Sequence, residues 1–140
     1  MLTVVRPLAN AAQVETWARS NGFSNIIPAN WHVTIAKTHG PIDLGGLVRD
    51  LSTLVVPASS NRLVGRMGGT IGLMFRSGAI ETCHREFRIA GADWENKGFR
   101  AHVTIAVDDR RRSLDGVKPF AGELVFAEED WFLPPFTPAG

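Results

Sequence analysis

Two short stretches of the chain alternate polar and apolar positions with a period of two, and both read His-Val-Thr-Ile-Ala, at residues 32–36 and 102–106. β-Branched Val, Thr and Ile favour extended backbone. Successive side chains of a strand point to opposite faces. His32 and Thr34 therefore share one face and Val33 and Ile35 the other, and His102, Thr104, Val103 and Ile105 repeat the arrangement. The copies are 70 residues apart in a chain of 140. A lone His-x-Thr is a weak motif. Two identical copies half a chain apart set aside the reading of two ordinary core strands.

The pattern around them predicts the other elements. Residues 2–5 read as a strand ended by Arg6-Pro7. Asn10 and Gln13 have the spacing of a capping box. A helix to about Ser20 follows, with Val14, Trp17 and Ala18 on one face. Asn21-Gly22 closes it, and residues 23–30 connect to the first His strand. Lys37 to Pro41 read as a loop, 44–51 as a short helix interrupted by Gly45 and Gly46, 52–56 as extended and 57–61 as a turn. Arg62–Met67 and Thr70–Arg76 form a hairpin around Gly68-Gly69. Ser77 caps a helix to about Ala90, buried through Ile80, Cys83, Phe87 and Ala90, with His84 on its solvent side. A loop carrying Asp93, Trp94 and Lys97 leads to the second His strand. Asp108–Asp115 is a charged, solvated loop. Phe120–Phe126 is the last strand, and a tail with Trp131 ends in a Pro-rich segment.

Strand, helix, loop and His strand thus occur twice. The 70-residue offset aligns Arg6 with Arg76 and Trp17 with Phe87. The simplest architecture is one domain, 1–140, built by internal duplication. Its two pseudo-symmetric lobes, roughly 1–70 and 71–140, each carry an antiparallel-rich sheet and a helix, with a cleft between them. Strands and helices mix without regular alternation, so the class is α+β.

Composition narrows the function. Hydrophobic residues make up 44%, enough for a core, and the net charge of +1 gives no footprint for long duplex nucleic acid. A small anion held by local charges remains compatible. Cys83 is the single cysteine, so no disulfide framework exists. With neither a membrane-length apolar run nor a leader-like start, the expectation is a soluble, cytoplasmic protein with no obligatory protein partner.

Two histidines near neutral pKa suit paired acid and base work. Two threonine hydroxyls beside them can hold oxygens that gain charge. This inventory fits phosphodiester cleavage by an internal 2′-hydroxyl, and equally water attack on a 2′,3′-cyclic phosphate. Two histidines alone make a poor zinc site, so no metal and no cofactor is expected. No nucleophile elbow or Walker-type loop is present.

The paired His-x-Thr strands resemble those of the two-histidine (2H) phosphoesterase superfamily. So do Arg85-Glu86-Phe87, Gly91-Ala92-Asp93-Trp94 and Phe99-Arg100-Ala101-His102. A narrower likeness begins at Arg6-Pro7-Leu8-Ala9-Asn10-Ala11. It continues through Trp17-Ala18-Arg19, Gly22-Phe23, Pro28-Ala29, the first motif and Pro41-Ile42-Asp43, and is similar to the phage-encoded anti-CBASS nucleases. That resemblance implies metal-independent cleavage of 3′–5′ linkages in host cyclic di- or trinucleotide signals. Position by position it makes His32 and His102 the acid/base pair, in either order, and Thr34 and Thr104 the phosphate clamps. Substrate-binding candidates are Arg6 and Arg76, for phosphate, Trp94 and Trp131, for base stacking, and Glu129, for a base edge. Trp31 and Trp17 read as core. The alternatives are a 2H enzyme acting on 2′,3′-cyclic phosphate ends of RNA, and a silent module that binds cyclic nucleotides without cleaving them.

Overall fold

The structure, a computed structural model, describes residues 2–40, 42–94 and 98–132. The Pro-rich tail and Lys97 lie outside the described residues. Eight strands and two α-helices follow in the order β1 (Leu2–Pro7), α1 (Ala11–Ser20), β2 (His32–Thr38), β3 (Leu54–Val56), β4 (Leu63–Met67), β5 (Thr70–Met74), α2 (Gly78–Ile89), β6 (His102–Val107), β7 (Leu124–Phe126) and β8 (Asp130–Phe132), with a 3-10 turn at Pro28–Asn30 before β2. This is the α+β class. None of the described helices is long and apolar enough to cross a membrane.

Six strands form one antiparallel sheet in the order β4-β5-β6-β2-β1-β8, and β3 and β7 pair separately. The two His strands are neighbours at the middle of the large sheet, joined at Val33↔Val103. Each motif strand pairs outward with the strand that opens its own repeat, β2 with β1 and β6 with β5. Both ladders slip by one residue at the same place. Ile35 is skipped between the pairs Val5↔Thr34 and Val4↔Ala36, and Ile105 between Gly72↔Thr104 and Ile71↔Ala106. A bulge sharpens the local twist and re-aims side chains, and the two halves share it.

That register corrects the alignment of the halves. Val5 and Gly72 lie opposite the two motif threonines, a spacing of 67, so Arg6 corresponds to Leu73 and not to Arg76. The connection into the second motif is three residues longer, which a uniform 70-residue offset conceals.

The local signals that hold are those satisfied within a few residues. Ser77 Oγ accepts from the Ile80 N–H at 3.2 Å at the start of α2. The β4–β5 hairpin closes on two residues with Gly68 at φ +61, a conformation glycine adopts without a Cβ clash. Asn10 does stand at the start of α1, but it does not cap the helix. Its amide donates to the Gln13 side chain at 3.1 Å and to Glu123 O at 2.9 Å, and its oxygen accepts from Val125 N–H at 2.9 Å, tying the helix to β7.

Three expectations change. Residues 44–51 form no helix: Asp43 Oδ1 captures the Gly45 N–H at 2.9 Å, a turn that competes with helix, and Arg49 and Asp50 are held by Glu129. The strand expected over Phe120–Phe126 shortens to Leu124–Phe126, leaving Glu123 outside, because Arg62 takes the carbonyls of Phe120 and Gly122. It is not the last strand either, since β8 adds to the open edge of β1 through Val4↔Trp131 and its neighbours.

Val33, Val103, Leu73, Val14, Ala18 and Ile80 are fully buried in one core between the sheet and the helices. That core occupies the face opposite the motif histidines. Side-chain parity alone predicts this, with Val33 and Val103 pointing away from His32 and His102.

Candidate active site

The two motifs meet at the seam of the sheet. Val33 and Val103 pair antiparallel. One step further along that register sets His32 across from Thr104, and Thr34 across from His102. Each half thus supplies a histidine to the other's threonine. Thr34 is buried and Thr104 half-buried.

Both imidazoles are oriented in the same way. His32 Nδ1 lies 2.6 Å from Asn30 O, and His102 Nδ1 lies 3.0 Å from Arg100 O, in each case the carbonyl two residues earlier. A carbonyl only accepts, so Nδ1 carries the proton in both rings. Nε2 is left as the nitrogen for chemistry. His32 Nε2 is buried, and among the described residues it has no hydrogen-bond partner. Burial lowers the His32 pKa against the opposing pull of its Asn30 contact, and the nearby His102 and Lys37 lower it further. Its lowered pKa leaves His32 a neutral imidazole at pH 7, with the Nε2 lone pair unshared among the described residues.

Two adjoining hollows sit over the seam. The larger, about 520 Å³, is lined by His102, Thr104, Arg66, Arg100, Trp94 and Met74. The smaller, about 150 Å³, is lined by His32, Trp31, Asn25, Ile27 and again Thr104. Thr70 and Thr104 line both, so the two hollows are neighbours. The size suits a small ligand. Among the described residues no group of three or more His, Cys, Asp or Glu could hold a metal ion.

The remaining candidates divide. Trp94 reaches the wall of the His102 hollow. Arg76 is exposed beyond β5 and pairs with Glu81 at 2.8 Å. Arg6 lies opposite Val33 in the ladder and so shares its core-side face. It is 2% exposed, held by Asp50 and by the carbonyls of Ser52 and Ala127. Glu129 accepts from Asp50 N–H and the Cys83 thiol, and Trp131 packs edge-on against Phe87 of α2. The structure thus gathers Arg6 and Glu129 around a separate hollow under α2, with Trp131 packed nearby, away from the motif histidines.

Two residues escaped the sequence reading. His84 is 8% exposed, not on the solvent side of α2. Its Nδ1 lies 2.7 Å from Ile35 O, the bulge residue of the first motif, and its ring stacks on Phe99 at 4.0 Å and meets the edge of Trp94. Helical spacing could have found it, one turn from both Ile80 and Phe87. Arg100 is the second. Strand parity puts it on the face of His102 and Thr104, a signal available in the sequence.

A family model described as Anti-CBASS protein Acb1 matches residues 2–131 of the chain. The chain belongs to the Acb1 family. Two curated Acb1 relatives agree. One, from Caulobacter sp. (strain RHG1), is 33% identical over 135 residues. The other, from Sphingomonas paeninsulae, is 34% identical over 137. Each alignment covers 91% of this chain, which spans 22% of the length of those Acb1 proteins. A solved phosphoesterase structure superposes with a TM-score of 0.67 at 17% identity, covering 99% of this chain and 94% of its own. This chain therefore shares the fold of that phosphoesterase.

Proposed function

We propose that the chain is a phosphodiesterase that opens cyclic di- or trinucleotide immune signals, used by a phage in the host cytoplasm against CBASS defence. The observation that carries this reading is the matched pair of imidazoles. Each is fixed through Nδ1–H to the carbonyl two residues earlier, which leaves Nε2 as the nitrogen for chemistry, and the strand pairing sets each opposite the other motif's threonine. His32 is the base: its pKa is lowered, first by burial, and its Nε2 lone pair has no competing partner among the described residues. In the step, His32 Nε2 takes the proton of a ribose 2′-hydroxyl. The 2′-oxygen bonds to phosphorus, and the P–O5′ bond breaks. The leaving 5′-oxygen takes a proton from His102, entering the step protonated. Thr34 and Thr104 donate hydrogen bonds to the non-bridging oxygens, which gain charge as phosphorus becomes five-coordinate. Acid, base and oxyanion donors all come from the chain, so the reading calls for no metal.

The test is chromatography of products formed with chelator present. The substrates are a 3′,3′-linked cyclic dinucleotide, a cyclic triadenylate and a 2′,3′-cyclic mononucleotide, with a His32→Ala, His102→Ala double variant as control. Linear products from the rings, absent with the variant, are expected. A 2′-deoxy linkage should survive. Opening of the 2′,3′-cyclic mononucleotide alone would move the activity to RNA ends. Ligand bound and returned unchanged would make the chain a binding module.

A further inference from the structure

Among the described residues, Arg100 is the arginine of the larger hollow whose charge has no ion-pair partner. It is exposed, and among the described residues no carboxylate lies within ion-pair distance of it. Its side chain makes one hydrogen bond, Nη1 to Met74 Sδ at 3.4 Å, and a thioether is a weak acceptor. Across the same hollow Arg66 is occupied by Asp108 and by Arg112 O. The backbone of Arg100 is fixed at the same time: its carbonyl orients His102, and the next residue, Ala101, accepts from Phe75 N–H at 3.0 Å. The guanidinium thus stands on an anchored stem, on the face of His102, beside a space of about 520 Å³.

A planar fork of N–H donors with a fixed charge matches a phosphate. Resting on the reading of the chain as a cyclic-oligonucleotide phosphodiesterase, the chemistry requires more than one phosphate to be housed. The reacting one sits between the histidines, on Thr34 and Thr104. Every other phosphate of the ring is a full negative charge brought into the hollow. We infer that Arg100 is a substrate-binding residue that holds a second, non-reacting phosphate of the ring. It selects ligands with two or more phosphodiesters over those with one.

The test uses isothermal titration calorimetry on His32→Ala protein, in which the ring should survive, with and without Arg100→Gln. The ligands are a 3′,3′-linked cyclic dinucleotide and a 3′,5′-linked dinucleoside monophosphate, which has only the reacting phosphate. Loss of a charge-assisted contact should weaken the cyclic dinucleotide about 10- to 100-fold and the monophosphate less than about twofold. The affinity of the ring should also depend less steeply on salt in Arg100→Gln, because one charge–charge attraction open to screening is gone, a change that a purely structural effect would not produce. Arg100→Lys should restore part of the affinity. Equal weakening of both ligands would place Arg100 on the reacting phosphate and overturn the inference, as would unchanged affinity. A His32→Ala protein that binds neither ligand would remove the functional reading and this inference with it. Ring binding that Arg100→Gln leaves intact would remove this inference alone.

Discussion

Cys83 offers a chemical probe of the core-side face. Its thiol, on α2, donates to Glu129 Oε2 at 3.1 Å. Glu129 is 1% exposed and also accepts from Asp50 N–H at 2.9 Å and Trp131 Nε1–H at 3.3 Å. Burial first, and then the Glu129 carboxylate, push the thiol up to about 12. An unperturbed cysteine titrates near ~8.5, so at pH 8 about a quarter of an unfolded chain's Cys83 is thiolate. In the fold the thiolate fraction is about one in 10⁴ at the same pH. Only the thiolate attacks a disulfide reagent. Reaction with Ellman's reagent at pH 8 should therefore be about 10²-fold slower in native protein than in 6 M guanidinium chloride, the loss of thiolate being partly offset by the greater nucleophilicity of the more basic thiolate. Global unfolding at ~5–15 kcal/mol opens a route no faster than this. Glu129→Gln keeps an acceptor for Asp50 and Trp131 but removes the charge. A hydrogen bond to a charged group is worth about 1.5–3 kcal/mol, so the native thiol should then react about 10- to 100-fold faster. A native thiol within about tenfold of the unfolded rate, or a Glu129→Gln variant of unchanged reactivity in a folded protein, would refute the placement of Glu129 beside Cys83.

Four further outcomes are expected. The His32 pKa lies below 6.5, so the acid limb of kcat/KM on the cyclic dinucleotide should have its midpoint below 6.5; a midpoint above it would contradict His32 as the base. The pKa of His84 is lowered as well, first by burial. Below 6.5 the unfolded chain therefore binds more protons than the native one, and stability falls as pH drops through the folded-state values. Melting temperature should decline between pH 7.5 and 5.5, and less steeply in His84→Gln. At Gly72, opposite Thr104, a Cβ would sit 3.0 Å from Met67 Sδ and 3.6 Å from His102 Cδ2. Gly72→Ala should be active. Gly72→Val should lose about 10-fold or more by displacing the imidazole, with an unchanged circular dichroism spectrum, and full activity would contradict the packing. His84→Ala removes a 2.7 Å hydrogen bond and a ring stack. It should cost about 2–4 kcal/mol in urea unfolding, and a loss under about 1 kcal/mol would mean that the buried contacts are not made.

What the sequence discloses here is what neighbours within a few residues decide. The His-x-Thr parity, the Gly68 turn and the Ser77 cap are all local, and the structure has all three. The misread features depend on partners far along the chain. Residues 44–51 carry helix-compatible composition, yet Asp50 answers to Glu129, 79 residues away. The three residues of β8 have no strand signal of their own and are extended because β1 has an open edge. His84 is expected opposite the stripe of Ile80, Cys83, Phe87 and Ala90, yet it lies one turn from both Ile80 and Phe87 and is buried, where Ile35 O satisfies it. Arg6 follows from the same parity that orients the motifs. Its pairing with Val33 puts it on the core side, but that pairing cannot be read until the register is known. The two motifs can be read from the sequence, whereas most of the hollow's wall cannot, because Arg66 of β4 and Arg100 of the connection before β6 come together only in the fold.

The chain runs through the exposed turn at 57–61 once, and that turn divides its strands unevenly. Severed there, one piece would own β1, α1, β2 and β3 with His32, and the other β4 to β8 with His102. Neither piece would hold a complete reaction centre. They could rejoin along three seams, β2 with β6, β1 with β8 and β3 with β7. On the proposed function, a split pair of this kind, each piece fused to a different bait, would be active only on reunion, making the doubled motif a reporter of proximity.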